Sequence, residues 1–148
     1  MSIVYRYVKY IRMSEDLLQE TYIQIFRNIN SYKTSLGGFN AWSARIAVNT
    51  ALQYLRKTKD ILVDELPEIS INEAQHIYDK LTVEEIKETI DDLPEVHRII
   101  LNLYYYENFS HEEIASLLGI KKSTSRSQLS RAKNLLVSKW TKLNTSGI

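Results

Sequence analysis

At 148 residues, with no cysteine, four glycines and two prolines, the chain is sized for one domain or two small ones, and it can build neither disulfides nor thiolate metal sites. Its net charge of +1 conceals a segregation: residues 1–59 hold nine Lys/Arg against three Asp/Glu, residues 60–92 two against eleven, and residues 93–148 eight against four. The opening MSIVYRYVKYIR is broken by Arg6 and Lys9 and too short for a secretory signal, and no stretch approaches membrane-spanning length, so a cytoplasmic protein without membrane insertion is expected.

Two basic modules on an acidic connector suggest two contacts with one polyanion, the connector itself reading as a solvated tether. Helical periodicity dominates and no run alternates well enough for a strand, which predicts an all-α chain of two small helical domains. The boundaries are read as 1–59 for the first domain, 60–81 for the linker and 82–148 for the second. In chain order, a short helix is predicted over Ile3 to Ile11. Ser14 is then read as the cap of a second helix, with Glu15 and Asp16 at its positive end and Leu18, Tyr22, Ile25, Phe26 and Ile29 as its buried stripe. After a loop from Asn30 to Gly38, Asn40 is read as the cap of a third helix to about Lys57, with Ala44, Ala47, Val48, Ala51 and Leu55 inward.

Residues 60–80, including Pro67, read as linker with at most broken helix. Thr82 and Glu85 form a capping box ahead of the apolar Val83, Ile86 and Ile90. Pro94 opens a helix whose core stripe is Val96, Ile99, Ile100 and Leu103, running to Asn108. The segment SHEEIASLLGIKKSTSRSQLSRAK, Ser110 to Lys133, then encodes two helices about a glycine turn. Ser110 and Glu113 make a second capping box, Ile114, Leu117 and Leu118 an apolar stripe, and Gly119 supplies the left-handed turn. In the following helix Ser125, Leu129, Ala132 and Leu136 fall on one side. Arg126, Ser127, Ser130, Arg131 and Lys133 are left to look outward, as guanidinium and hydroxyl groups that phosphates and base edges accept from a protein. The small Ala115 before Gly119, followed by Ile120, fits the tight crossing of a helix-turn-helix.

Little in the chain suits an enzyme. His76, His97 and His111 are scattered without metal-ligand spacing, and the pairs Glu84/Glu85, Asp91/Asp92 and Glu112/Glu113 are adjacent, so each pair points to different sides of a helix. No glycine-rich phosphate loop or nucleophile motif appears. No catalytic residue, metal, cofactor or small-molecule substrate is expected.

Two ordered segments resemble one family. EDLLQETYIQIFRNI (Glu15 to Ile29) followed by FNAWSARIAVNTALQYLRK (Phe39 to Lys57) resembles the second conserved region of the extracytoplasmic-function sigma factors of bacterial RNA polymerase. LPEVHRIILNLYYYENFSHEEIASLLGIKKSTSRSQLSRAKNLL (Leu93 to Leu136) resembles their fourth region, a helix-turn-helix of winged-helix-like type. The resemblance implies a protein without catalysis of its own that binds the clamp helices and flap of core polymerase, recognises promoter DNA, opens its strands and is held in check by an anti-sigma factor. It implies a polymerase contact at Asp16, Gln19, Glu20 and Ile23, which share one face of the second helix. It implies a minus-ten contact at Tyr32, Lys33, Trp42, Arg45, Asn49, Gln53 and Arg56, with Asn49 reading a base edge and Tyr32 packing on an extruded base. It implies a minus-thirty-five contact at Thr124, Arg126, Ser127, Ser130, Arg131 and Lys133.

The chain departs from the family pattern at Ser43, where an apolar residue commonly follows the tryptophan, and at Ser123, where glycine commonly opens the recognition helix. It also begins late, so the first domain is expected to lack its first helix. Trp42 reads equally well as a core or seam residue, since large aromatics usually bury much of their area. Two other functions stay open on the sequence alone: a stand-alone dimeric helix-turn-helix regulator, which leaves the first domain unexplained, and a truncated sigma remnant that binds polymerase without melting DNA.

Overall fold

In a computed structural model, which describes residues 3–8, 11–58 and 82–145, the chain divides into two compact units, Met1–Ile61 and Leu62–Ile148. Every regular element among the described residues is helical. The expected acidic linker and its Pro67 lie outside the described residues.

The first unit contains α1 (Ile3–Tyr7), α2 (Ile11–Asn28) and α3 (Phe39–Thr58), with short 3₁₀ turns at Ile29–Ser31 and Thr34–Leu36 between the last two. α1 is shorter than expected, ending at Tyr7. Val4, Tyr7 and Val8 are nonetheless buried, and α1 packs against both α2 and α3. Ser14 does not cap α2. The helix starts three residues earlier, and the buried Ser14 hydroxyl donates instead to the Val8 carbonyl at 3.1 Å, satisfying an acceptor at the end of α1 that has left the helical ladder.

The predicted stripe of α2 is rotated. Ser14, Leu17 and Thr21 are the buried residues and Leu18 and Ile25 are half-buried, whereas Tyr22, Phe26 and Ile29 are exposed, Phe26 to 78%. The cause is the partner surface. α3 offers Ala44, Ala47, Val48 and Ala51, all buried or half-buried, and such a low-relief face admits hydroxyl-bearing residues whose polar atoms are returned to their own backbone. Thr21 Oγ1 donates to Leu17 O at 2.7 Å, and Thr50 Oγ1 to Ile46 O at 2.9 Å. At α3 the inward residues fall as expected, with Leu52 added to them. Asn40 lies inside the first turn rather than at the cap, because the Trp42 amide already bonds the Gly38 carbonyl.

The second unit contains α4 (Val83–Asp91), α5 (Glu95–Leu101), a π-helical turn (Asn102–Tyr106), α6 (His111–Leu118) and α7 (Lys122–Thr145). Both capping boxes form. Thr82 and Glu85 exchange backbone and side-chain bonds at the start of α4, and Ser110 and Glu113 do the same at α6. The bonds to Thr82 hold the Glu85 carboxyl below its usual pKa. Val83, expected in the core, is 74% exposed; the inward place on α4 is taken by Thr89, which accepts a hydrogen bond from Trp140 Nε1 at 2.9 Å. The helix after Pro94 does not run evenly to Asn108. It widens into the π turn, and Asn108 adopts a left-handed φ of 56°.

α7 is the hub of this unit, with α4, α5 and α6 all packed on it. Ser125, Leu129, Ala132 and Leu136 are buried as expected, joined by Gln128, Val137 and Trp140. Gly119, at φ 68° and ψ 34°, ends α6, and its amide bonds the Ala115 carbonyl. A Cβ at Gly119 would meet no atom within 4 Å, so the demand for glycine there is conformational rather than steric. Gly119→Ala is therefore expected to destabilise the second unit by about 1 to 2 kcal/mol, and Ser110→Ala by about 1 kcal/mol, each read as a lower urea midpoint of the intact chain.

Candidate nucleic-acid interface

Each unit presents one strip of cationic and hydrogen-bonding side chains. In the first unit Arg45, Asn49, Gln53 and Arg56 follow one another on α3 at spacings that keep them on one side, and all four are exposed. At the head of this strip stands a cluster of three rings. Tyr32 lies 5.5 Å from Phe39 and 5.3 Å from Trp42, and Phe39 lies 5.6 Å from Trp42, none of them in parallel stacking. Trp42 is accordingly half-buried, a seam residue that still shows part of its ring. The Tyr32 hydroxyl donates to the Gly37 carbonyl at 3.3 Å, which closes the loop over itself. Lys33, the next residue, is exposed. Phe39, which the sequence reading left without a role, completes the cluster; an aromatic one turn before Trp42 was the signal for it.

On α2 the structure keeps Asp16, Gln19, Glu20 and Ile23 on one side. Asp16, Gln19 and Ile23 are exposed; Glu20 is half-buried and accepts from Gln24 Nε2 at 2.7 Å. The exposed Tyr22 and Phe26 extend this face, making it more apolar than the sequence suggested.

In the second unit α7 carries the other strip. Arg126, Ser127 and Ser130 are fully outward. Arg131 and Lys133, also expected to look outward, are half-buried at its two edges, as is Thr124 near the helix start. Each edge residue has a reason. Lys133 Nζ sits 5.6 Å from the centre of the Tyr105 ring, an orientation that holds a cation by the ring's negative face. Arg131 lies near the buried His97 and contributes to that imidazole's electrostatics. Ser127 donates to the Thr124 carbonyl at 3.0 Å, and Lys122 pairs with Glu112 at 2.5 Å across the turn. That pairing lowers the Glu112 pKa. The helix that carries the strip is thus anchored by α5 and α6 on its inner side while its arginines remain accessible.

The match to known proteins follows the same division. Residues 1–61 match Sigma-70 region 2, and residues 83–136 match Sigma-70, region 4. The ECF RNA polymerase sigma factor SigM of Bacillus subtilis is 30% identical over 150 residues, covering 92% of this chain and 87% of that protein. The chain belongs to the sigma-70 family, among the extracytoplasmic-function sigma factors. The ECF sigma-E factor of Haemophilus influenzae is 30% identical over 140 residues, covering 84% of this chain and 72% of that protein. SigE of Mycolicibacterium smegmatis is 33% identical over 130 residues, and there the chain spans half of the relative's length. The fold is similar to that of the sigma factor RpoE solved in complex with the anti-sigma factor NepR from Bartonella quintana, with a TM-score of 0.55, 24% identity and coverage of 90% and 84% of the two chains. No described helix of this sigma factor is long and apolar enough to cross a membrane.

Behind the strip lies a buried histidine, His97, 1% exposed on α5. Burial first, then the charge of Arg131, lowers the pKa of His97, against a smaller opposing effect of a backbone bond at Gln128. A histidine whose folded pKa lies below its unfolded value contributes stability that is present above about pH 6.5 and lost as the pH falls through the folded value. Acidification from neutrality is therefore expected to lower the urea midpoint of the second unit, followed by Trp140 fluorescence in a Trp42→Phe background. His97→Gln is expected to flatten that dependence.

Proposed function

We propose that this sigma factor binds core RNA polymerase and gives it promoter specificity through the two strips, one for each promoter element. Separate cationic surfaces on two helical units of one chain carry this reading; a stand-alone regulator needs only the second. The first unit takes polymerase at Asp16, Gln19, Glu20 and Ile23 on α2. Acidic and amide groups there fix the register of docking, and Ile23, Tyr22 and Phe26 supply area that favours leaving water. A groove of about 310 Å³ on the second unit, lined by Ile86, Ile90, Tyr105, Tyr106, Leu136 and Trp140 with Lys133 at its rim, takes an apolar segment of the polymerase flap.

With polymerase holding both units, the two DNA contacts do different work. On α7, Arg126 and Arg131 offer forked donors to base edges in the major groove, Ser127 and Ser130 short hydroxyls, and Thr124 and Lys133 contacts to the backbone. These read the minus-thirty-five element as duplex. On α3, Asn49 and Gln53 hydrogen-bond base edges that become accessible once the minus-ten duplex opens, and Lys33, Arg45 and Arg56 hold the phosphates of the exposed strand. Tyr32 and Trp42 receive an extruded base by stacking, which offsets part of the cost of unpairing. The protein performs no bond chemistry; its contribution is differential binding of the opened strand. An anti-sigma factor acts on it by covering these surfaces; the similar Bartonella sigma factor was solved in complex with one.

The test is transcription in vitro with purified bacterial core polymerase, this protein and promoter fragments of its source genome. Initiation at defined start sites is expected. Arg131→Ala should weaken it by about 1 to 3 kcal/mol of promoter discrimination. Asn49→Ala should leave closed-complex formation intact while reducing strand opening, read by permanganate reactivity. Specific duplex binding by the protein alone, with no initiation and no association with core polymerase, would overturn the reading.

A further inference from the structure

His111 has no part in the contacts above, yet it sits at the joint of the helix-turn-helix. It opens α6, is half-buried, and its Nδ1 lies 2.9 Å from Oγ of Ser125, a residue with no exposed surface on α7. Its ring stacks on Tyr104, with centroids 4.9 Å apart and planes 24° from parallel. Tyr104 meets Tyr105 edge-on, and Tyr105 is the ring that carries Lys133. One imidazole therefore ties together α6, the π turn and α7.

The charges around it are one-sided. From α7 it meets the charges of Arg126, Lys122 and Lys133, and from the π turn the stacked ring of Tyr104, with Tyr105 edge-on to that ring. On its own helix Glu112 is drawn to Lys122, and Glu113 is committed to the cap. His97, the other histidine against α7, faces Gln128 and Arg131 instead. Burial and the three cations lower the pKa of His111, which favours the neutral ring in the free protein.

We propose that His111 is a proton-linked positioning residue of the DNA-reading helix pair: it takes up a proton from solvent as α7 docks on duplex DNA, so the duplex is held more tightly in mild acid than at neutrality. This rests on the reading of α7 as the duplex-binding helix. Phosphates brought against Arg126, Lys122 and Lys133 cancel the repulsion that opposes a charged imidazole, and linkage requires the reverse effect, that a charged imidazole strengthens phosphate binding. The Ser125 contact survives protonation, because Nδ1–H can donate to the hydroxyl oxygen. The angle between α6 and α7 is kept while the local charge rises.

The experiment measures binding of the intact protein to a fluorescein-labelled duplex of mixed sequence, at low ionic strength, by anisotropy at about pH 7.5 and about pH 6. The wild type should gain about three- to tenfold more affinity across that interval than His111→Gln, which keeps a hydrogen-bonding group near Ser125 but cannot titrate. A merely structural role would weaken the variant equally at both pH values, and parallel pH slopes would overturn the proposal. Should the variant not fold, NMR titration of the wild-type imidazole decides: its pKa should rise when duplex is added, and an unchanged value refutes the linkage. Absence of duplex binding at both pH values, with core polymerase present as well as without it, would instead remove the DNA reading of α7, and this inference with it.

Discussion

Ser125 and Ala132, both without exposed surface on α7, set the geometry of the second unit. Small side chains at these positions suit the close packing of α5 and α6 on the long helix, and Leu129 and Leu136 continue the same buried stripe. With that stripe facing inward, the rotation of α7 about its axis is determined, and Arg126, Ser127 and Ser130 are committed to solvent. Gly119 and the Ser110–Glu113 box fix where α6 stops and starts, so both helices of the pair are held in length as well as in rotation. The placing of the outward donors is a consequence of how the core of this unit packs; a larger residue at Ser125 or Ala132 would displace them together.

The first unit works from the opposite compromise. Its seam between α2 and α3 is made of alanines and back-bonded hydroxyls, which bury little apolar area per residue, while the large Tyr22, Phe26 and Ile29 remain outside. Large side chains left partly in water forgo much of the burial they could contribute to the unit, Phe26 most of all. On the proposed reading, Tyr22 and Phe26, which extend the face of Asp16, Gln19 and Ile23, have a use: apolar surface left in water becomes favourable once a partner covers it. A sigma factor need not be optimally packed in isolation when its working state is a complex.

What the sequence made legible follows from how local each signal is. Both capping boxes, the glycine turn and the inward stripe of α7 depend on residues within a turn or two of one another, and all were readable. The rotation of α2 was not, because periodicity weights the largest apolar side chains, whereas the seam selected Ser14, Leu17 and Thr21 to match the low surface of α3. Ser14 misled for the same reason: a serine ahead of two acids looks like a cap until a carbonyl from another helix claims its hydroxyl. The π turn had no local marker. Of the candidate site, the α3 strip and the open part of α7 could be read by spacing, but the partial burial of Arg131 and Lys133 could not, since it depends on tertiary neighbours such as Tyr105 in the π turn, over which Lys133 lies.

These tertiary neighbours change what binding must accomplish. In the free chain Lys122 is paired with Glu112, Lys133 rests over Tyr105, and Ser127 is bonded to its own backbone. On the proposed reading, docking on DNA would exchange these contacts for phosphate and base contacts, so the net gain would be smaller than a count of cations implies. Exposed pairs such as Lys122–Glu112 contribute little and release their lysine readily, while Lys133 leaves an aromatic face that already satisfies it. Arg126 is exposed and feels Glu112 only as a minor charge effect, so on the proposed reading its contact with DNA is the least offset of the three cations. On the proposed reading, such offsets leave little net affinity to the unit alone, and polymerase supplies the remainder, which is the division of labour that a subunit directing a larger enzyme requires.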